Sequence, residues 1–228
     1  MYVMYPSARP RIKICGITRL EDALAAARMG VDALGFVFYP KSPRYIEPQK
    51  AASIIRALPP FVSAVGLFVN PTQQEIDDVL SYCPLGVVQL HGDESPEFCL
   101  AQARRVIKAV AIHDAQDLAV VQQYPCSVLL DTKAPAGVYG GTGKTFDWSC
   151  LEGFAHKYPL ILAGGLNEHN ILEALATHRW FAVDVSSGVE LSPGVKDTAM
   201  MHRFVNTVND HPRLQYVETK KGLNDEKL

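Results

Sequence analysis

Apolar residues in this chain gather in short runs, and the stretches between the runs carry apolar residues at helical spacing. The runs at residues 12–15, 33–38, 64–68, 87–90, 106–109, 128–130, 160–163 and 182–185 read as strands buried on both faces of a parallel sheet. Leu20, Leu24, Ala27 and Val31 mark a first helical segment, Ile76, Val79 and Leu80 a third, and Ile171, Leu172 and Leu175 a seventh. A last helix is predicted over residues 197–208. Eight strand-then-helix units in 228 residues match an α/β fold of the (β/α)8 TIM-barrel type, for which about 250 residues is typical. We expect one domain over residues 12–210, with an N-terminal extension (1–11) and a polar C-terminal tail (211–228). A doubly wound open sheet alternates in the same way, but no Gly-x-Gly-x-x-Gly follows the first strand. Gly140-Gly141-Thr142-Gly143-Lys144-Thr145 lacks the P-loop spacing and has no strand directly before it.

Composition narrows the picture. The chain is 48% hydrophobic and 20% charged, with a formal net charge of −2, so no global basic field points to nucleic acid. No apolar stretch reaches the roughly 20 residues that span a bilayer, and the first residues do not read as a secretory signal. Cysteines 15, 83, 99, 126 and 150 are odd in number and widely spaced, which predicts reduced thiols, mostly in the core, and a cytoplasmic location.

In a (β/α)8 barrel the chemistry sits at the C-terminal strand ends. Cys15 ends the first run and Asp131 the sixth. A thiol and a carboxylic acid there would face each other across a pocket, suited to removing one proton and donating another. A buried cysteine acting as a small hydrophobe, and an aspartate capping a turn, are the ordinary alternatives. As a base the cysteine needs its thiolate, which a nearby cation would favour. Arg44 lies on a proline-stiffened loop and is a candidate bidentate clamp for a substrate carboxylate, against a plain surface arginine. His91 reads as pocket lining, since no partners at metal-ligand spacing accompany it. Asp93 and Glu94 fit the start of the next helix. Gly137, Gly140, Gly141 and Gly143 compose a candidate lid or an ordinary solvent loop. Gly164 and Gly165 after the seventh run, with Ser186, Ser187 and Gly188 after the eighth, fit a phosphate site. Asp184 is a candidate pocket carboxylate or a structural one.

Taken in order, these segments resemble a known family. Lys13-Ile14-Cys15-Gly16-Ile17-Thr18, Ser42-Pro43-Arg44-Tyr45-Ile46, Val88-Gln89-Leu90-His91-Gly92, Leu162-Ala163-Gly164-Gly165-Leu166 and Asp184-Val185-Ser186-Ser187-Gly188-Val189-Glu190 are similar to motifs of the phosphoribosylanthranilate isomerases of tryptophan biosynthesis. The resemblance covers roughly residues 11 to 208, with Thr132 standing where a serine is expected. It implies a cofactor-free and metal-free Amadori rearrangement, the third step from chorismate. It further implies Asp131 as general acid, Cys15 as general base, Arg44 on the anthranilate carboxylate and the two glycine/serine loops on the phosphate. The expected partner is a phosphorylated, carboxylated small molecule, bound to a monomer or homodimer. The histidine-pathway isomerase and a non-catalytic phosphometabolite-binding barrel are the competing readings. The first wants a glycine-rich loop after the third run, where Phe68-Val69-Asn70-Pro71 stands instead.

Overall fold

A computed structural model of the chain describes residues 9–132 and 145–211. Eight parallel strands close into a barrel in sequence order. They are β1 (Arg11–Cys15), β2 (Ala33–Val37), β3 (Ser63–Phe68), β4 (Val87–Leu90), β5 (Arg105–Ile112), β6 (Ser127–Thr132), β7 (Leu160–Leu162) and β8 (Ala182–Val185). β8 closes on β1 with Lys13 opposite Asp184. Every predicted run became a strand. β5 is longer than its apolar run because its ends carry residues such as Arg105 and Ala111 that the run omits.

The helices are α1 (Leu20–Arg28), α2 (Pro48–Arg56), α3 (Gln73–Tyr82), α4 (Pro96–Leu100), α5 (Leu118–Val121), α6 (Ile171–Thr177) and α7 (Thr198–Asp210). Among the described residues the sixth unit carries only a 3-10 turn, Trp148–Leu151. α3 starts at a reciprocal Thr72–Glu75 capping box, and α7 at Asp197, whose carboxylate accepts from the Ala199 and Met200 N–H groups. α7 buries Met201, Phe204, Val205 and Val208, a single apolar stripe.

The stripe of α1 is rotated from the predicted one. Leu20 is exposed, while Ala23 and Ala26 face the barrel with Asp22. Small side chains there let the helix approach closely, and the leucines that dominate the pattern lie off the contact. Leu172 of α6 is likewise exposed, between buried Ile171 and Leu175.

Period-two alternation divides the strand residues between two cores. Ile12 and Ile14 of β1 point outward into the layer between strands and helices. Lys13 and Cys15 point into the barrel, where Ala109, Leu129 and Ile161 fill another part of the interior. After β8 the chain makes a 3-10 turn (Ser187–Val189) and an antiparallel hairpin of β9 (Glu190–Ser192) and β10 (Val195–Lys196), which the apolar pattern does not announce. Gly194, at φ 81°, makes the hairpin turn. Most of the expected tail and of the expected extension lies outside the described residues. Arg9 is tied to Asp32 at 2.6 Å, just ahead of β1.

Candidate active site

The ends of β1, β2, β3, β4, β6, β7 and β8 surround a cleft of about 710 Å³, open mouth included. Cys15 and Asp131 both line it, as do Arg44, Asp184, Gly164, Gly165, Ser186 and Ser187. Gly188 does not line the cleft. A side chain there would collide with the Leu166 carbonyl, so this glycine lets the loops after β7 and β8 touch. The candidate lid glycines lie outside the described residues.

Among the described residues Asp131 caps no helix. Its Oδ1 accepts from the Thr132 N–H at 2.8 Å, and its Oδ2 lies 3.2 Å from Nε2 of His91. The end of β4 thus brings an imidazole to the carboxyl group delivered by β6. His91 lines the cleft as expected, but its contact with Asp131 needed the fold to be seen.

Cys15 stands among cations that sequence reasoning missed. Lys13, two residues earlier on β1, pairs with Asp184 Oδ2 at 2.6 Å and also reaches the Cys15 thiol. Lys196 on β10 donates to the Cys15 carbonyl at 2.5 Å, to the Ser186 carbonyl at 3.2 Å and to Glu190 Oε1 at 2.7 Å. Burial pushes the Cys15 thiol above its ordinary value, the ammonium groups pull it down, and Asp184 adds to the rise. Burial is the larger influence, so the balance of these effects lies above the ordinary thiol value. Lys196 is lowered by the same loss of water, although Glu190 opposes it.

Arg44 does not offer its whole fork to a ligand. Nε lies 3.0 and 3.1 Å from the two Glu190 oxygens, and Nη2 lies 2.7 Å from Oε2. That side-on pairing occupies one edge of the guanidinium. The outer Nη1/Nη2 edge keeps its remaining N–H donors for a carboxylate in the cleft. Gly16, at φ 80°, makes the crossing possible, because a Cβ there would sit 2.6 Å from Arg44 Cδ. Burial works to raise Glu190, but the Arg44 and Lys196 contacts outweigh it and hold the carboxyl below its usual range.

Gly164 and Gly165 take φ of 83° and 64°, which turns the backbone sharply where β7 ends. A side chain on Gly164 would strike Thr132. Among the described residues, no group accepts a hydrogen bond from the backbone N–H of Gly164, Gly165, Ser187 or Gly188. These residues are half-buried, and turn N–H groups that cluster without a partner make a ready anion site. Its donors come from turns, since α6 begins only at Ile171. Glu94 is corrected as well. It lies ahead of α4, buried, accepting from the Asn70 and Gly92 N–H groups and pairing with Lys108 at 3.0 Å. The loop after β3 is thereby bonded to the loop after β4. No group of three or more His, Cys, Asp or Glu gathers as a metal centre among the described residues.

Residues 12–207 match the family model for N-(5'-phosphoribosyl)anthranilate (PRA) isomerase. The chain belongs to the PRA isomerase family. A relative of that name from Geobacter sulfurreducens is 52% identical over 196 residues, covering 86% of this chain and 96% of the relative. The PRA isomerase structure from Thermotoga maritima superposes with a TM-score of 0.81 at 49% identity, over 88% of this chain and 98% of that one. A PRA isomerase solved with reduced 1-(o-carboxyphenylamino)-1-deoxyribulose 5-phosphate is 46% identical, with a TM-score of 0.80 over 88% and 98% of the two chains. The eight-stranded barrel and an isomerase role in tryptophan biosynthesis follow for this member of the family.

Proposed function

We propose that this chain converts N-(5-phosphoribosyl)anthranilate to 1-(2-carboxyphenylamino)-1-deoxyribulose 5-phosphate, with Asp131 as general acid and Cys15 as general base. The observation that carries the assignment is the meeting of a thiol and a carboxyl group, from β1 and β6, in one cleft flanked by two anion sites. Asp131 protonates the ribose ring oxygen, and the C1′–O bond breaks as the anilino nitrogen lone pair forms an iminium ion. His91, 3.2 Å away, is placed to resupply the carboxyl proton. Cys15 as thiolate then takes the C2′ proton, and the C–H electron pair flows toward the cationic nitrogen to leave a neutral enolamine. The enolamine gains a proton at C1′ and loses its hydroxyl proton, giving the aminoketone. Every atom of the substrate is kept, so no redox partner is needed.

The outer edge of Arg44 takes the anthranilate carboxylate, and the free N–H groups of the loops after β7 and β8 take the phosphate. Holding both ends fixes the sugar between acid and base. Cys15→Ser and Asp131→Asn are each expected to lower kcat by about 10²–10⁴-fold while product-analogue binding survives. The assay follows the loss of anthranilate-conjugate fluorescence in purified protein. Near-normal turnover in both variants would rule out these roles.

We infer a cytoplasmic location from the biosynthetic reaction. No described helix is long and apolar enough to cross a membrane. We further propose a homodimer. A Thermotoga maritima relative is described as dimeric, and here Phe61 stands 95% exposed in the turn before β3. Sedimentation equilibrium should give twice the chain mass, and Phe61→Glu should give monomers. A wild-type monomer at micromolar concentration would reject the dimer.

A further inference from the structure

Lys13 and Asp184 present a buried ion pair inside the barrel, with side chains only 4% and 7% exposed. Burying two charges is costly, and apolar layers commonly fill such a barrel at this level. Three features tie the pair to Cys15. Lys13 and Cys15 are two apart on β1 and so share its inner face, and Lys13 is the register partner of Asp184 on β8. Gly35, the partner of Cys15 on β2, leaves the space that both atoms need. A Cβ on it would lie 2.7 Å from Cys15 Sγ and 3.1 Å from Lys13 Nζ. Finally, Asp184 Oδ1 is buried with no hydrogen-bond partner among the described residues, so the pair is not a closed structural bridge.

We propose that Lys13 is a positioning residue for the isomerisation, its ammonium divided between Asp184 and Cys15 so that it sets how readily the sulfur releases its proton. This rests on the assignment of Cys15 as the base. Lys13 favours the thiolate, and Asp184 holds part of that positive charge back. The other charged groups near the sulfur are Lys196 and Glu190 beneath its strand end, Arg44 crossing Gly16, and Asp131 with His91 across the cleft. None of these shares Lys13 Nζ. Two variants should therefore act in opposite directions, which a purely structural pair would not do. Asp184→Asn frees the ammonium for the sulfur. Lys13→Met with Asp184→Asn removes both charges and leaves the thiol in an apolar site.

The experiment is alkylation of Cys15 by iodoacetamide as a function of pH, read on the Cys15 peptide by mass spectrometry in protein shown folded by circular dichroism. Asp184→Asn should move the alkylation midpoint down, giving roughly tenfold faster labelling near neutral pH. The double variant should move it up by a similar factor. The acidic limb of kcat/KM in each variant should move with the alkylation midpoint. Unshifted midpoints, or shifts of both in one direction, would overturn the proposal. Should either variant fail to fold, the wild-type protein carries the test. In it, ¹⁵N-labelled Lys13 and ¹³C-labelled Cys15 must show a common NMR inflection as the thiol titrates, and separate inflections would overturn the proposal. Labelling that shifts as expected while Cys15→Ser keeps full activity would leave this charge relation standing and reject Cys15 as the base.

Discussion

Glu190→Gln is a severe test of how the site is assembled. Glu190 is 4% exposed at its side chain and stands between Lys196, fully buried, and Arg44, 13% exposed. Its Oε1 accepts from Lys196 Nζ at 2.7 Å, Arg44 Nε at 3.0 Å and the Gly194 N–H at 3.2 Å. Its Oε2 accepts from Arg44 Nη2 at 2.7 Å. Glutamine keeps the shape but must turn an NH2 group toward donors on one side, and it leaves two cations without their shared anion. Removing one partner of a buried ion pair costs about 3–5 kcal/mol. For a chain of this size each kcal/mol moves Tm by about 2–4 °C, so a fall of about 6–20 °C is expected in thermal unfolding. The functional loss should appear chiefly in KM. Arg44 loses the support that aims its outer edge, and one charge-assisted hydrogen bond of about 1.5–3 kcal/mol corresponds to a rise of about 10–150-fold. Adding Lys196→Met should recover part of the lost Tm, because the stranded ammonium goes with it. A Glu190→Gln protein with Tm within about 2 °C of wild type and an unchanged KM would refute the network as described.

Arg44→Ala should raise KM by at least about tenfold and weaken binding of free anthranilate more than that of free phosphate, measured by competitive inhibition; equal loss for both ions would count against a carboxylate role. Burial holds His178 below its ordinary value of 6.5, so the unfolded chain binds this proton more readily than the folded one. The stability contributed by its neutral form is fully present above about pH 6.5 and declines as pH falls through that value, and His178→Gln should flatten this part of a urea-unfolding series. A slope that is the same in both proteins would remove His178 as its source.

The barrel was legible from residue pattern alone because its strands are buried on both sides. Such strands must be apolar nearly throughout, so runs like Val128-Leu129-Leu130 stand out without tertiary information. Helix faces were less legible. Leu20 and Leu172 outrank Ala23 and Ala26 in hydropathy, yet close packing of α1 on the barrel selects the small residues. The hairpin Glu190–Lys196 was invisible, being short, mostly polar on one strand and turned by Pro193-Gly194.

Sequence by itself determined which residues stand at the strand ends: Cys15, His91, Asp131 and the glycine pairs follow directly from where each apolar run stops. It also determined family membership, since several ordered motifs carry that signal together. Tertiary structure decided the charges. Lys13 meets Asp184 across 171 positions, Lys196 meets the Cys15 carbonyl across 181, and Arg44 meets Glu190 across 146. Local pattern cannot report such pairs, because electrostatic energy depends on distance and on the loss of water around each group. Both are fixed only when the barrel closes and the loop after β8 folds over the end of β1.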